Sequence, residues 1–187
     1  MSNLDSAETK PTEAAIQQLN LGYNSEQDRL LLKVGLSDNS ELVVWLTYRI
    51  VKVLWQLLGN NTHLPTAHSI ATETLPDQAL AQFKQEVKAV ETLQKMDFST
   101  QYKPRTALVN DGFLLAKEVQ LQLTSQQITS LEMACVEGVT VRMNLTQELV
   151  LALCNMLQRA ANEATWQLGA AASLPAINVV AGAKILH

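Results

Sequence analysis

The apolar pattern of this chain predicts an α+β protein: two pseudo-symmetric antiparallel β-meander-plus-helix units, an internal duplication, joined by an amphipathic helix. Three observations carry the prediction. Residues 30–58 and 130–157 each read as strand, turn, strand and then a Leu-Thr pair opening a helix, and an offset of 99 residues separates Leu46-Thr47 from Leu145-Thr146. At that offset the apolar positions coincide: Leu32, Val34 and Leu36 fall on Leu131, Met133 and Cys135, while Leu42, Val44 and Leu46 fall on Val141, Met143 and Leu145. Between the copies stands a separate helical pattern with one narrow apolar stripe. The match is one of hydrophobic register, without shared polar chemistry, so it speaks to architecture.

Residues 1–14 are polar and aperiodic, a loose tail. The span 15–168 is expected to be one domain holding repeats at about 16–59 and 106–167, with 169–187 as a tail rich in Ala, Val and Gly. Strand signals begin near Ile16, where Leu19-Asn20-Leu21 resembles Leu121-Gln122-Leu123. Strands at 29–36 and 41–46 are joined by Ser37-Asp38-Asn39-Ser40, whose side chains form local hydrogen bonds and tolerate the left-handed region. Glu137-Gly138 takes that place in the second copy. Thr47 and Thr146 suit helix N-caps, since a hydroxyl there accepts from an otherwise unpaired first-turn amide. Gly59 stops the first helix, whereas the second keeps its period to about Trp166.

The linking helix is expected over 74–96, capped by Thr74 with Asp77. Leu80, Phe83, Val87 and Val90 form its stripe, and Glu91 and Lys95 an i,i+4 ion pair. Residues 106–110 and 113–124 read as strands about an Asn110-Asp111-Gly112 turn, and 177–180 as a short strand.

The two repeat helices differ. In the first, only Arg49, Lys52 and Gln56 are polar, so its apolar arc covers roughly 220°, about twice what docking on one sheet needs. The second keeps a broad polar face through Gln147, Glu148, Asn155, Gln158 and Arg159. The strands agree: residues 42–46 are apolar on both faces, while 141–145 alternate, with Arg142 and Asn144 outward. This excess in one copy is covered either by the chain's own middle helix and tail or by a second copy. The latter makes Trp45, Tyr48, Val51, Trp55 and Leu58 candidate interface residues for self-association.

Chemistry is sparse. His63 and His68 flank Pro65 without a cysteine or carboxylate cluster, glycines are scattered, and no serine sits in an activating motif. No catalytic, metal or cofactor site is expected. Cys135 and Cys154 lack partners at metal or redox spacing and read as buried structural thiols. A net charge of −4 argues against a dedicated nucleic-acid binder. One basic-aromatic segment runs the other way: Lys95, Phe98, Tyr102, Lys103 and Arg105 could pair phosphates and stack on bases. No secretory signal or membrane span is visible, so the cytoplasm is the expected location. The function expected is therefore a non-catalytic cytosolic binding or adaptor protein acting through protein–protein contacts as a homodimer. The rival is a single-strand nucleic-acid binder using that segment.

Overall fold

The computed structural model describes residues 14–59, 76–109, 113–123 and 128–169. In chain order the elements are β1 (Ile16–Asn24), β2 (Arg29–Leu36), β3 (Ser40–Leu46), α1 (Tyr48–Gly59), α2 (Pro76–Lys95), β4 (Thr106–Ala107), β5 (Leu114–Leu123), β6 (Thr129–Cys135), β7 (Thr140–Leu145) and α3 (Gln147–Glu163). The strands make one mixed sheet of seven strands, in the order β1-β2-β3-β5-β6-β7 with β4 beside β3, and the fold is α+β. Two antiparallel meanders meet where β3 and β5 run parallel, at Val44–Leu114 and Trp45–Leu115.

Local chemistry sets the turns and caps. Asn39 adopts φ +65°, and Asp38 Oδ1 accepts the Ser40 amide at 2.9 Å, which closes the β2–β3 hairpin. In the β6–β7 hairpin Gly138 takes φ +80° and the Cys135 N–H reaches the Val139 carbonyl at 2.8 Å. Thr146 Oγ1 accepts from the Leu149 amide at 3.3 Å, and Thr47 Oγ1 receives a longer bond from Ile50 at 3.5 Å. Helix α3 ends three residues before Trp166. Thr165 sits at φ +57°, its amide bonds Asn162 O, and the Trp166 amide returns to Ala161 O. Those paired bonds make a Schellman stop, with threonine where glycine is usual.

The pairing register repeats. Leu32 lies between Leu21 and Val44, and Leu131 between Leu121 and Met143. Each leading strand breaks register once, between Ile16 and Gln18 in β1 and between Ala116 and Glu118 in β5. By register the counterpart of Leu21 is thus Leu121, two residues before the Leu123 that the Leu-x-Leu resemblance suggests.

Helices bind the meanders into one body. Helix α1 packs on β5 and α3 packs on β1, so each covers the leading strand of the other meander, and the two helices touch. One core results, with Leu30, Leu32, Leu46, Leu54, Leu131, Leu145 and Leu153 almost wholly enclosed.

Two expectations change. Residues 106–110 and 113–124 do not form a hairpin. Both β4 and β5 instead pair in succession with one edge of β3, Thr106 and Ala107 opposite Ser40 and Glu41, then Leu114 and Leu115 opposite Val44 and Trp45. The long open edge of β3 offers backbone partners to both, and Phe113 gains a ring contact with Trp45 at 5.9 Å. The Glu91–Lys95 ion pair is also not made, since among the described residues the side chains within salt-bridge distance are Arg142 and Glu132. An exposed pair of this kind gains too little to hold two long side chains in place. Thr74, His63, His68 and the strand at 177–180 fall outside the described residues.

Cys135 and Cys154 are buried thiols. Burial, then the nearby Glu137 carboxylate, raises the Cys135 pKa, and a protonated thiol is a poor nucleophile. Thiol reagents should therefore modify the native chain slowly and both cysteines quickly in denaturant. Rapid native-state labelling would contradict the packing.

Candidate functional site

On β3 Val43 is buried, Trp45 is half-buried against Phe113, and Glu41 is bonded to Tyr102 and Arg105. Segment 97–105, which leaves the end of α2, crosses the outer face of β1, β2 and β3 and is pinned at three places. The Gln18 side-chain amide acts as a neighbouring strand would, donating to Gln101 O at 3.2 Å and accepting the Lys103 amide at 3.2 Å. Glu41 Oε2 accepts the Tyr102 hydroxyl at 2.9 Å and the Arg105 amide at 3.1 Å. The Arg105 guanidinium donates to Leu36 O and lies close against Gly35, where an added Cβ would stand 2.9 Å from Nε. A side chain at residue 35 would occupy the guanidinium's place, which gives the isolated Gly35 its reason. Lys33 Nζ sits 5.8 Å from the Tyr102 ring centre. Burial first, then Glu41, pushes the Tyr102 phenol up to about 12.

At the start of the segment Asp97 Oδ1 accepts from the Ser99 and Thr100 amides at 2.8 and 3.0 Å, and the Ser99 and Thr100 hydroxyls bind the same carboxylate. Those bonds, led by Thr100 and Ser99, hold its carboxyl well below the usual range.

Between this segment and α3 runs a groove of about 1040 Å³ that straddles the outer edge of β1. Residues 17–21 form its floor, and among the described residues β1 pairs only with β2, which leaves its other edge to the groove. One wall is the solvent side of α3, through Glu148, Ala152, Met156 and Arg159, at helical spacing. The other wall includes Phe98, Tyr102 and Lys103. Apolar surface comes from Leu19, Leu21, Phe98, Leu149 and Met156. The charges balance: Lys103, Arg105 and Arg159 face Asp97, Glu148 and Glu163. Across the molecule, where α1 lies on β5, the residues 99 positions earlier than Leu149, Ala152 and Met156 are Ile50, Val53 and Leu57. There Arg49 Nη2 donates to Lys117 O at 3.0 Å, joining the helix to the strand. Small Ala152 helps keep the α3 side open.

The sequence-derived candidates take distinct positions. Val51 and Leu58 are wholly enclosed and Trp55 is 6% exposed, all three in the chain's own core. The first apolar arc is used up by β5, α3 and the sheet, which removes these side chains from any surface. Tyr48 is exposed at its rim, but its ring lies tilted against Trp166 with centres 5.1 Å apart, and its hydroxyl donates to Gln167 O at 2.6 Å. Trp45 is half-buried against Phe113. Of the basic-aromatic segment, Tyr102 and Arg105 are engaged by Glu41 and Leu36, leaving Lys95, Phe98 and Lys103 as its outward groups. The groove itself escaped sequence reasoning, because an open strand edge is a property of sheet order and not of residue type. The small Ala152, 99 positions after Val53, was its one legible trace.

Among the described residues no group of three His, Cys, Asp or Glu could hold a metal ion, and no helix is long and apolar enough to cross a membrane. Comparison with protein families, curated proteins and solved structures finds no match for this chain.

Proposed function

We propose that this chain is a non-catalytic cytosolic binding module that takes an extended peptide segment of a partner protein into the groove along β1. The observation that carries the proposal is the edge of β1 that no described strand pairs, lying between a helix and a crossing segment. Such an edge offers main-chain donors and acceptors to an added strand, and pockets on its two sides select alternate side chains. Leu19, Leu21, Leu149 and Met156 favour apolar residues at every second position of the ligand. Equal numbers of cationic and anionic side chains suit a peptide of low net charge and give no attraction to a polyanion. The repeated register and the matching breaks in β1 and β5 support descent of the two meander-helix units from a duplication, after which one copy kept its groove and the other closed it.

A displayed library of random peptides, selected against the whole chain, tests this. Extended sequences with alternating apolar residues should emerge. Ala152→Trp, which fills the groove from a half-buried helix position, should weaken them at least about 30-fold while leaving the fold intact, about 2 kcal/mol of lost contact. Backbone N-methylation at alternate ligand positions should be tolerated in one parity and not in the other. Binding indifferent to Ala152→Trp and to N-methylation overturns the proposal. A labelled single-stranded oligonucleotide should show no salt-sensitive binding. Affinity lost on changing Lys95 and Lys103 to Ala would replace the peptide reading with the nucleic-acid one.

A further inference from the structure

Helix α2 carries its apolar stripe on the wrong side for its own chain. It packs against α3, and the residues turned toward the body are buried Ala89 with half-buried Thr92 and Leu93. Leu80, Phe83, Val87 and Val90 lie roughly 150° around the helix from them. They face solvent, with Leu80 53% and Phe83 62% exposed. Single exposed apolar residues are ordinary, but four in register at steps of 3, 4 and 3 along one helix are not.

We infer that α2 is a dimerisation element, pairing antiparallel with α2 of a second copy of this chain through the Leu80, Phe83, Val87 and Val90 stripe. The spacing is that of alternate core positions of a two-helix seam. The stripe is self-complementary under a two-fold axis: Leu80 meets Val90 of the partner subunit, Phe83 meets the partner's Val87, and each contact occurs twice. Charge selects the direction. Lys84 and Glu91 flank the stripe on the same side, and the antiparallel register sets Lys84 against the partner's Glu91 at both ends, whereas a parallel pair would not bring them together. Among the described residues neither is held by a salt bridge, the described ion pair being Arg142–Glu132. A seam of four residues per helix is short beside obligate interfaces, so the dimer should form at on the order of micromolar concentration. The inference is independent of the groove, which lies on the β1 side of α3.

Sedimentation velocity on the full chain from about 1 to 200 µM provides the test. The wild type should pass from monomer to dimer across that range. Phe83→Glu should raise the dissociation constant at least about 100-fold, because each dimer loses two buried rings, and its exposed position should leave the fold unchanged by circular dichroism. Lys84→Glu should weaken the dimer about 5-fold, and Lys84→Glu with Glu91→Lys should restore it. A wild type that stays monomeric at the top of the range overturns the inference, since the stripe then belongs to another segment of the chain or to a different partner. A dimer unaffected by Phe83→Glu overturns it equally. A double exchange that fails to restore the weakened dimer also overturns it, by removing the antiparallel register.

Discussion

Leu54→Ala and Leu153→Ala should each lower the stability of the whole chain by about 3 kcal/mol, in one cooperative transition. The two leucines stand at the same place in α1 and α3, 99 residues apart, and neither has more than 1% of its surface exposed. Truncating either removes buried methyl groups and leaves a void that close-packed neighbours fill only in part. The more informative quantity is where the loss is felt. Because α1 packs on β5 and α3 on β1, a cavity beneath one helix loosens the leading strand of the other meander. Hydrogen exchange should therefore accelerate in β5 for Leu54→Ala and in β1 for Leu153→Ala, and chemical denaturation should keep a single midpoint with an unchanged slope. Two separated transitions, or exchange confined to the meander that carries the substitution, would mean that the halves do not share a core.

Glu41→Ala should destabilise the chain by about 2 kcal/mol and free segment 97–105 from the sheet. One carboxylate oxygen accepts both the Tyr102 hydroxyl and the Arg105 amide, and hydrogen bonds to an ionised acceptor are stronger than neutral ones. With that acceptor gone, the half-buried phenol loses its hydrogen-bond partner, and the segment is left with the Gln18 clamp, the Arg105–Leu36 bond and the Lys33 contact with the Tyr102 ring. Trypsin should then cut after Arg105 much faster than in the wild type. The phenol reports the same event. Folding holds Tyr102 protonated, so its share of stability is complete below about pH 10 and is lost as the pH climbs toward about 12. In Glu41→Ala that high step in the ultraviolet titration should move back toward the ordinary tyrosine range. A step that stays in place would show that Glu41 does not hold the ring.

The sequence by itself determined what local chemistry controls. Short apolar runs in residues 29–36 and 41–46 predicted β2 and β3 within a residue, because the side chains of 37–40 between them supply the turn. Thr47, Thr146 and Gly59 predicted helix ends because caps act within one turn. The shared apolar spacing anticipated that Leu32 and Leu131 would stand at matching places in their sheets. The unequal polarity of the two copies told that one of them needed a second cover.

What supplied that cover was decided only in three dimensions. Tyr102 and Arg105, which by residue type could equally serve a phosphate backbone, lie on Glu41 and Gly35 because chain reversal after α2 brings residues more than 60 positions apart into contact. The strands β4 and β5, with a turn signal between them, took the edge of β3 instead of each other. Trp55 and Val51 looked like surface when residues 30–58 were read alone and proved to be core, since α1 is packed by β5 and α3. The groove along β1 and the outward stripe of α2 have the same origin. Periodicity tells which residues share a face, but only the packing of distant elements determines which faces are filled and which remain open.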